Sequence, residues 1–349
     1  MNDQSNSRRT FVKGALLSVA APALIIPRRT RAATPLVIAT WGGLATKATR
    51  VAWAEPFTAA TGIPVTIADG PDLAKMKAQV QGGNPGWDLV DLPGAMAVTA
   101  AHAGLLERVD PNIVDQSGLV IASPSPYLVR MSTFAGGVGW DSKRYAAGSH
   151  PTNVQEYFDF KRFPGARTLR SRIAETLELA LVGSGVEPSK LYPLDVDRGF
   201  AMLDKIKPNI RKWVGETPQL TALLQTGEVD FGYVYNSRVR EAQRAGIPLD
   251  MSLSQCVIGS EYLGVVRNSR NRDAAMRFIN FALNPVRQAN FAYYITAIPN
   301  AKGALELVDP SARRWMPDIN DKQHIFISDT YWADHYEKLN ARFSEWLLD

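Results

Sequence analysis

Four histidines, one cysteine and one tyrosine pair are the residues of this 349-residue chain whose types could hold a metal or attack a substrate. His102, His150, His324 and His335 show no pair at metal-ligand spacing, and no G-x-S-x-G elbow, phosphate-binding loop or zinc motif accompanies them. They read as exposed or hydrogen-bonded histidines. Cys256 stands alone, so it cannot close an internal disulfide, and nothing around it resembles a nucleophile signature. Tyr293-Tyr294 offers two phenol oxygens of the kind a hard ferric ion prefers. The pair lies in an amphipathic helical stretch, where neighbours point about 100° apart, so core packing is the simpler reading. No catalytic residue, metal or cofactor is expected; a ferric-iron carrier and an exported enzyme stay as alternatives.

Better candidates for binding stand where short apolar runs end. Residues 35–40 form a β-branched run that reads as a buried strand and breaks at Trp41-Gly42-Gly43. A helix over about 46–60 is closed by Gly62, and Val65-Thr66-Ile67 reads as the second strand. A helix over 73–80, a turn at 82–86, a strand over 87–91 ending in Leu92-Pro93-Gly94, and a helix over 95–103 follow. The glycine-rich run 134–141 reads as a strand crossing between two halves. A second series has helices at 174–183, 197–207 and 217–226, a strand at 229–235 and a helix at 236–244. The return strand, 255–267, carries Glu261 and Tyr262. A helix at 273–282, a turn at 297–300 and an apolar-striped helical tail at 330–348 complete the chain. Such alternation predicts an α/β sheet with helices on both faces, in which ligands sit outside the carboxyl ends of the strands. That singles out the turns at 41–43 and 92–94.

The N-terminus carries an address. Ser7-Arg8-Arg9-Thr10-Phe11-Val12-Lys13 precedes an apolar run, Ala15 to Pro27, that is too short to span a bilayer, and small residues follow at Ala32 and Ala33. This is the pattern of a twin-arginine signal peptide over residues 1–32, and it predicts export to the periplasm in folded form. Residues 1–32 hold six of the 39 Lys and Arg but one of the 34 Asp and Glu, so the remainder carries 33 of each. The basic excess belongs to the address, and no nucleic-acid partner is implied.

Taken in order, Thr40-Trp41, the run 56–65 (Pro-Phe-Thr-Ala-Ala-Thr-Gly-Ile-Pro-Val), Trp87-Asp88-Leu89-Val90, Gly227-Glu228-Val229-Asp230 leading to Tyr235-Asn236, the helix 274–281 and Ile298-Pro299-Asn300 resemble bacterial periplasmic solute-binding proteins of the spermidine/putrescine type. The resemblance covers nearly all of the chain after the signal. It implies a two-lobed type II periplasmic-binding-protein fold with the ligand cleft between the lobes. Lobe 1 is expected from 33–138 plus 262–315, and lobe 2 from 139–261 plus 316–349. It also implies a monomeric receptor that captures a small solute for an ABC permease in the inner membrane.

A binder of this kind gains affinity by desolvating its ligand between aromatic walls and satisfying each polar group on closure. By resemblance Trp41 lines the cleft, where its ring can pack on an alkyl chain or face a cation. Gly42 and Gly43 can bring backbone N–H groups close, or simply make the turn. Tyr235 falls where the family has an aromatic wall, with core packing as the other reading, and Asn236 follows it. Glu261 matches a carboxylate kept for an ammonium group, with Tyr262 beside it. Two departures stand out. Where polyamine binders have an acid just before the helix at 174, this chain has Ser171-Arg172, with Arg170 nearby and Glu175 as a remaining acid. The 92–94 turn lacks the family's serine and tyrosine. A guanidinium repels a diamine and favours a carboxylate, and Arg238 adds to that. The expected ligand is a small polar organic solute, polyamine-like or, given Arg172, zwitterionic or carboxylate-bearing.

Overall fold

The computed structural model describes residues 34–348; the twin-arginine pattern of residues 1–32 lies outside them. β1 (Leu36–Thr40) leads through Trp41-Gly42 into α1 (Gly43–Thr49), a π-helical turn at Arg50–Ala54, and α2 (Glu55–Thr61). The single helix expected here therefore carries a wider turn in its middle. That turn buries Trp53, which stacks on Phe291 with ring centres 3.9 Å apart. Gly62 closes α2 at φ 73°, a left-handed position where the absence of a Cβ removes the steric cost. β2 (Val65–Asp69), α3 (Leu73–Gln81), β3 (Leu89–Pro93) and α4 (Gly94–His102) complete a first α/β series.

The long β4 (Val129–Asp141) opens the second series, with α5 (Val154–Tyr157), β5 (Arg167–Arg170), α6 (Ile173–Gly183), α7 (Val196–Ile206), β6 (Ile210–Val214), α8 (Thr217–Thr226), β7 (Phe231–Tyr235) and α9 (Asn236–Arg244). β8 (Leu249–Met251) and the return strand β9 (Val257–Val265) follow, then α10 (Arg272–Ala282), α11 (Pro285–Ile295), β10 (Ile298–Pro299), α12 (Ala304–Leu307), α13 (Pro310–Arg313), β11 (Ile325–Phe326) and α14 (Asp329–Leu348).

The main sheet runs β2-β1-β3-β9-β4-β7-β5-β6. β1 is parallel to β2 and β3, and β5 is parallel to β6 and β7. Between these two parallel groups, β9 is antiparallel to β3 and β4, and β4 is antiparallel to β7. The core divides accordingly. Val129 and Met131 of β4, with Leu263 and Val265 of β9, pack with Trp53, Phe57 and Phe278. Further along β4 and earlier in β9, Val138, Trp140, Val257 and Ile258 pack with Leu177, Phe231 and Trp332. The fold is thus two-lobed α/β, with two strands common to both halves. α14 packs on α4 and α6, burying Trp332, Leu339 and Phe343.

Several short strands differ from the expected elements. Ile298-Pro299, expected as a turn, is the two-residue strand β10, antiparallel to Ser132 and Thr133 of β4. Proline cannot donate to a ladder, so so short a pairing hides behind a turn-like composition. β5 (Arg-Thr-Leu-Arg) and β6 (Ile-Arg-Lys-Trp-Val) carry too many charges for apolar patterning to mark them. Arg211 and Lys212 of β6 are exposed, and fully buried Arg167 of β5 donates to the carbonyls of Tyr157 at 3.0 Å, Gly165 at 2.6 Å and Phe163.

Candidate ligand-binding cleft

The carboxyl ends of β1, β3, β5, β6 and β7 border one cleft, floored by the middles of β4 and β9, with about 990 Å³ of empty space when its open mouth is included. Trp41 follows β1, Asp91 lies in β3, and Arg170 ends β5 with Arg172 two residues on. Gly215 to Thr217 follow β6, and Tyr235 ends β7 ahead of Asn236, Ser237 and Arg238. Met131, Ser132, Phe134 and Glu261 form the floor, and Trp53, Phe291 and Ile295 add an apolar wall.

One end of the charge pattern is acidic. Pro93 pairs with Glu261 and Asp91 with Leu263, so Asp91 and Glu261 project from the same face as diagonal cross-strand neighbours. Asp91 accepts a hydrogen bond from the Thr40 hydroxyl at 2.8 Å, whereas Oε2 of Glu261 is buried without a partner. Burial pushes the Asp91 carboxyl up to about 6, against the pull of Thr40. Burial, and then the charge of Asp91, hold Glu261 well above the carboxylate range, with Arg172 opposing. Two desolvated carboxylates side by side disfavour each other's ionised form, and a cation between them would relieve both.

The other end is basic. Arg170 is 5% exposed, and its Nε and Nη1 have no hydrogen-bond partner. Its guanidinium carbon lies 5.9 Å from the centre of the Tyr235 ring, and burial lowers its pKa. Arg172 donates through Nη2 to the Glu175 carboxylate and, at 3.2 Å, to the Tyr235 hydroxyl; its Nε is buried and unpartnered. Burial works against the charge of Arg172, but Tyr235, Tyr336 and Glu261 outweigh it, and the pKa is raised. Arg238 reaches the cleft with Nη1 on Glu241 at 3.2 Å. Buried guanidinium N–H groups without acceptors are costly, and an anion supplies what they lack.

Of the residues singled out by sequence, Trp41, Arg172, Tyr235, Asn236, Arg238 and Glu261 come together around the cleft. The indole Nε1 of Trp41 is buried without a partner. Gly42 and Gly43 turn at φ 72° and 53° and are not lining residues; a Cβ at Gly43 would stand 3.5 Å from the Arg238 guanidinium. Asn236 borders the cleft, but its amide donates to the carbonyls of Thr296 at 2.9 Å and Trp315 at 3.0 Å, so it fixes the wall. Tyr262 is not brought to the cleft. Successive strand residues face opposite sides, and its hydroxyl donates instead to Asp329 at 2.5 Å while accepting from Arg130 at 3.1 Å. Pro93 and Gly94 border a smaller neighbouring hollow with Arg172 and Asp329. Asp91, Arg170 and Glu216 are lining charges that sequence reasoning did not nominate, and the charge of Glu216 acts on Arg170.

The features of an iron or nucleophile site take other roles. Tyr293 and Tyr294 pack edge to face in α11, with Arg240 over Tyr293. Among the described residues no group of three or more His, Cys, Asp or Glu could hold a metal ion. Cys256 is fully buried, which pushes its thiol up to about 12.

A two-lobed α/β scaffold with charges of both signs converging on the cleft where its halves meet is that of a solute-capturing protein. The chain belongs to the family described as bacterial extracellular solute-binding protein, which matches residues 52–324. It is 31% identical over 322 residues to the gamma-aminobutyric acid-binding protein of Pseudomonas aeruginosa, covering 89% of this chain and 90% of that one. It is 22% identical to spermidine/putrescine-binding periplasmic protein 1 of Haemophilus influenzae, over 82% of this chain and 84% of that one. Among solved structures, the Atu4243-GABA receptor superposes with a TM-score of 0.81 at 32% identity, covering 90% of this chain and 97% of the other. Proteins of this class bind a small ligand and deliver it to the permease of an ABC importer. No described helix is long and apolar enough to cross a membrane.

Proposed function

We propose that the protein is a periplasmic receptor for a short zwitterion of the ω-amino carboxylate kind, 4-aminobutyrate or a close analogue, and that it performs no chemistry on it. One observation carries this reading: the unpartnered, buried guanidinium of Arg170 and the uncompensated Asp91/Glu261 pair border the same cleft. An ammonium group on the carboxylates and a carboxylate on Arg170 and Arg172 would answer both deficits with one molecule. A diamine would answer the acidic end only and bring a second cation to the arginines. The names of the GABA-binding relatives support the same choice.

Trp41 would cover the methylene chain, with Tyr235 behind the arginines and Arg238 at the rim. Asn236, Gly42 and Gly43 shape the wall without direct contact, and Tyr262 stays outside. The expected lobe divisions after residues 138 and 261 fall within β4 and β9, and closure of the lobes around the solute, as a monomer, belongs to the same proposal. So does export through the twin-arginine route, which rests on the residues at 7–33.

Calorimetric titration of the protein lacking residues 1–32 tests it. 4-Aminobutyrate should bind, and Arg170→Ala and Glu261→Gln should each weaken it about 10- to 100-fold, the worth of a charge-assisted hydrogen bond of roughly 1.5–3 kcal/mol. Tight binding of putrescine or spermidine that survives Arg172→Ala would refute the assignment. A visible tyrosinate-to-iron band in purified protein would instead favour the ferric-iron reading.

A further inference from the structure

We infer that Glu178, which does not line the cleft, is the positioning residue that aims Arg172 at the ligand. The inference rests on the reading of Arg172 as part of the carboxylate seat. Glu178 is fully buried in α6. One carboxyl oxygen accepts from the Tyr192 hydroxyl at 2.5 Å and the Trp332 indole at 2.7 Å, and the other accepts from the backbone N–H of Glu175 at 2.9 Å. All three contacts place a donor against Glu178, so both of its oxygens act as acceptors. Burial pushes its pKa up, while Tyr192, Trp332, the backbone and the charge of Arg172 resist.

The consequence passes through a strained residue. Inside the first turn of α6, Glu175 sits at φ 77°, ψ −47°, near the γ conformation that is rare for a residue with a Cβ. Such a backbone persists only where its surroundings hold it, and the bond from its N–H to Glu178 is such a hold. In this conformation the Glu175 carboxylate accepts from Tyr233 at 2.6 Å and Tyr235 at 2.7 Å, and takes Nη2 of Arg172. Nη2 is therefore occupied, while the buried Nε of Arg172 is left unpartnered. Glu178 thus acts at second hand: it holds the Glu175 backbone, and Glu175 holds the guanidinium. Trp332 connects the start of α14 to the same chain of contacts, and Tyr192 does likewise by accepting from the N–H of Ser328 at 3.0 Å.

Glu178→Gln tests this at constant shape, because its amide must turn a donor toward one of the three donors. The first readout is the ¹⁵N resonance of the Arg172 Nε–H in ligand-free protein, assigned by its loss in Arg172→Lys; the second is 4-aminobutyrate affinity by calorimetry. The resonance should move in Glu178→Gln in the same direction as in Glu175→Gln, and affinity should fall about 10-fold. Tyr192→Phe, which keeps the carboxylate and removes one donor, should move the resonance the same way by less, and it serves if Glu178→Gln fails to fold. An unmoved resonance in Glu178→Gln or Tyr192→Phe, or unchanged affinity where Glu175→Gln weakens binding, overturns the inference. If wild-type protein binds no 4-aminobutyrate, the proposed function fails, yet the ligand-free resonance still decides the role of Glu178.

Discussion

Replacing Asp91 by Asn should make the empty receptor more stable at neutral pH while impairing capture. Asp91 is 7% exposed and its carboxyl is raised from 3.8 to about 6, chiefly by burial. A carboxyl raised on folding lends its stability below the unfolded value and loses it as the pH climbs to the folded value; above that, the full penalty stands. At about 1.4 kcal/mol per unit, the shift amounts to roughly 3 kcal/mol near pH 8 and about half of that near pH 5. Asn removes the charge and keeps an oxygen for the Thr40 hydroxyl, 2.8 Å away. It also relieves Glu261, whose pKa the Asp91 charge helps to raise. Urea denaturation of ligand-free wild type and Asp91→Asn at both pH values is the assay. The variant should be the more stable near pH 8, and its advantage should shrink by about 1–1.5 kcal/mol near pH 5. An advantage that is absent near pH 8, or that grows toward acid, would refute the argument that the floor of the cleft holds a desolvated carboxylate awaiting a cation.

Two further outcomes follow from contacts away from the charge pair. Asn236→Ala removes two hydrogen bonds to buried carbonyls, those of Thr296 and Trp315, and should lower unfolding free energy by about 2–4 kcal/mol in urea titrations. Cys256, buried and with its thiol pushed up to about 12, should react with a thiol reagent only as fast as the chain unfolds; rapid labelling of native protein, followed by absorbance, would contradict the burial.

Most of the scaffold could be read from the residues, because strand-to-helix turns leave strong local marks. α9 begins and ends where the sequence puts it, at 236 and 244, since the apolar strand before it changes abruptly into a polar helix. Trp41 followed from the same logic, since it stands where a strand gives out, whereas Tyr235 came from the family resemblance. The charged members of the site were harder. Arg170 ends a strand that apolar patterning does not mark, and its importance lies in lacking partners, which no local pattern reveals. Asp91 lies in a recognised strand, yet the neighbour that unsettles it, Glu261, is 170 residues away and meets it only through the pairing of β3 with β9. Glu175 was visible as an acid, but its attachment to Arg172 depends on a backbone conformation that side-chain chemistry does not announce. Tyr262 shows the opposite lesson, since strand alternation alone separates it from Glu261.

The glycine at 136 gives the sheet a further significance. It lies opposite Tyr235 in the β4–β7 ladder, and a Cβ there would run into the phenol end of Tyr233. That phenol is one of the two that grip Glu175. An empty space the size of one methyl group in the strand connecting the halves therefore leaves room for the grip that orients an arginine two strands away. Alanine at this position would therefore press first on Tyr233, and through it on the carboxylate of Glu175, ahead of the rest of the sheet.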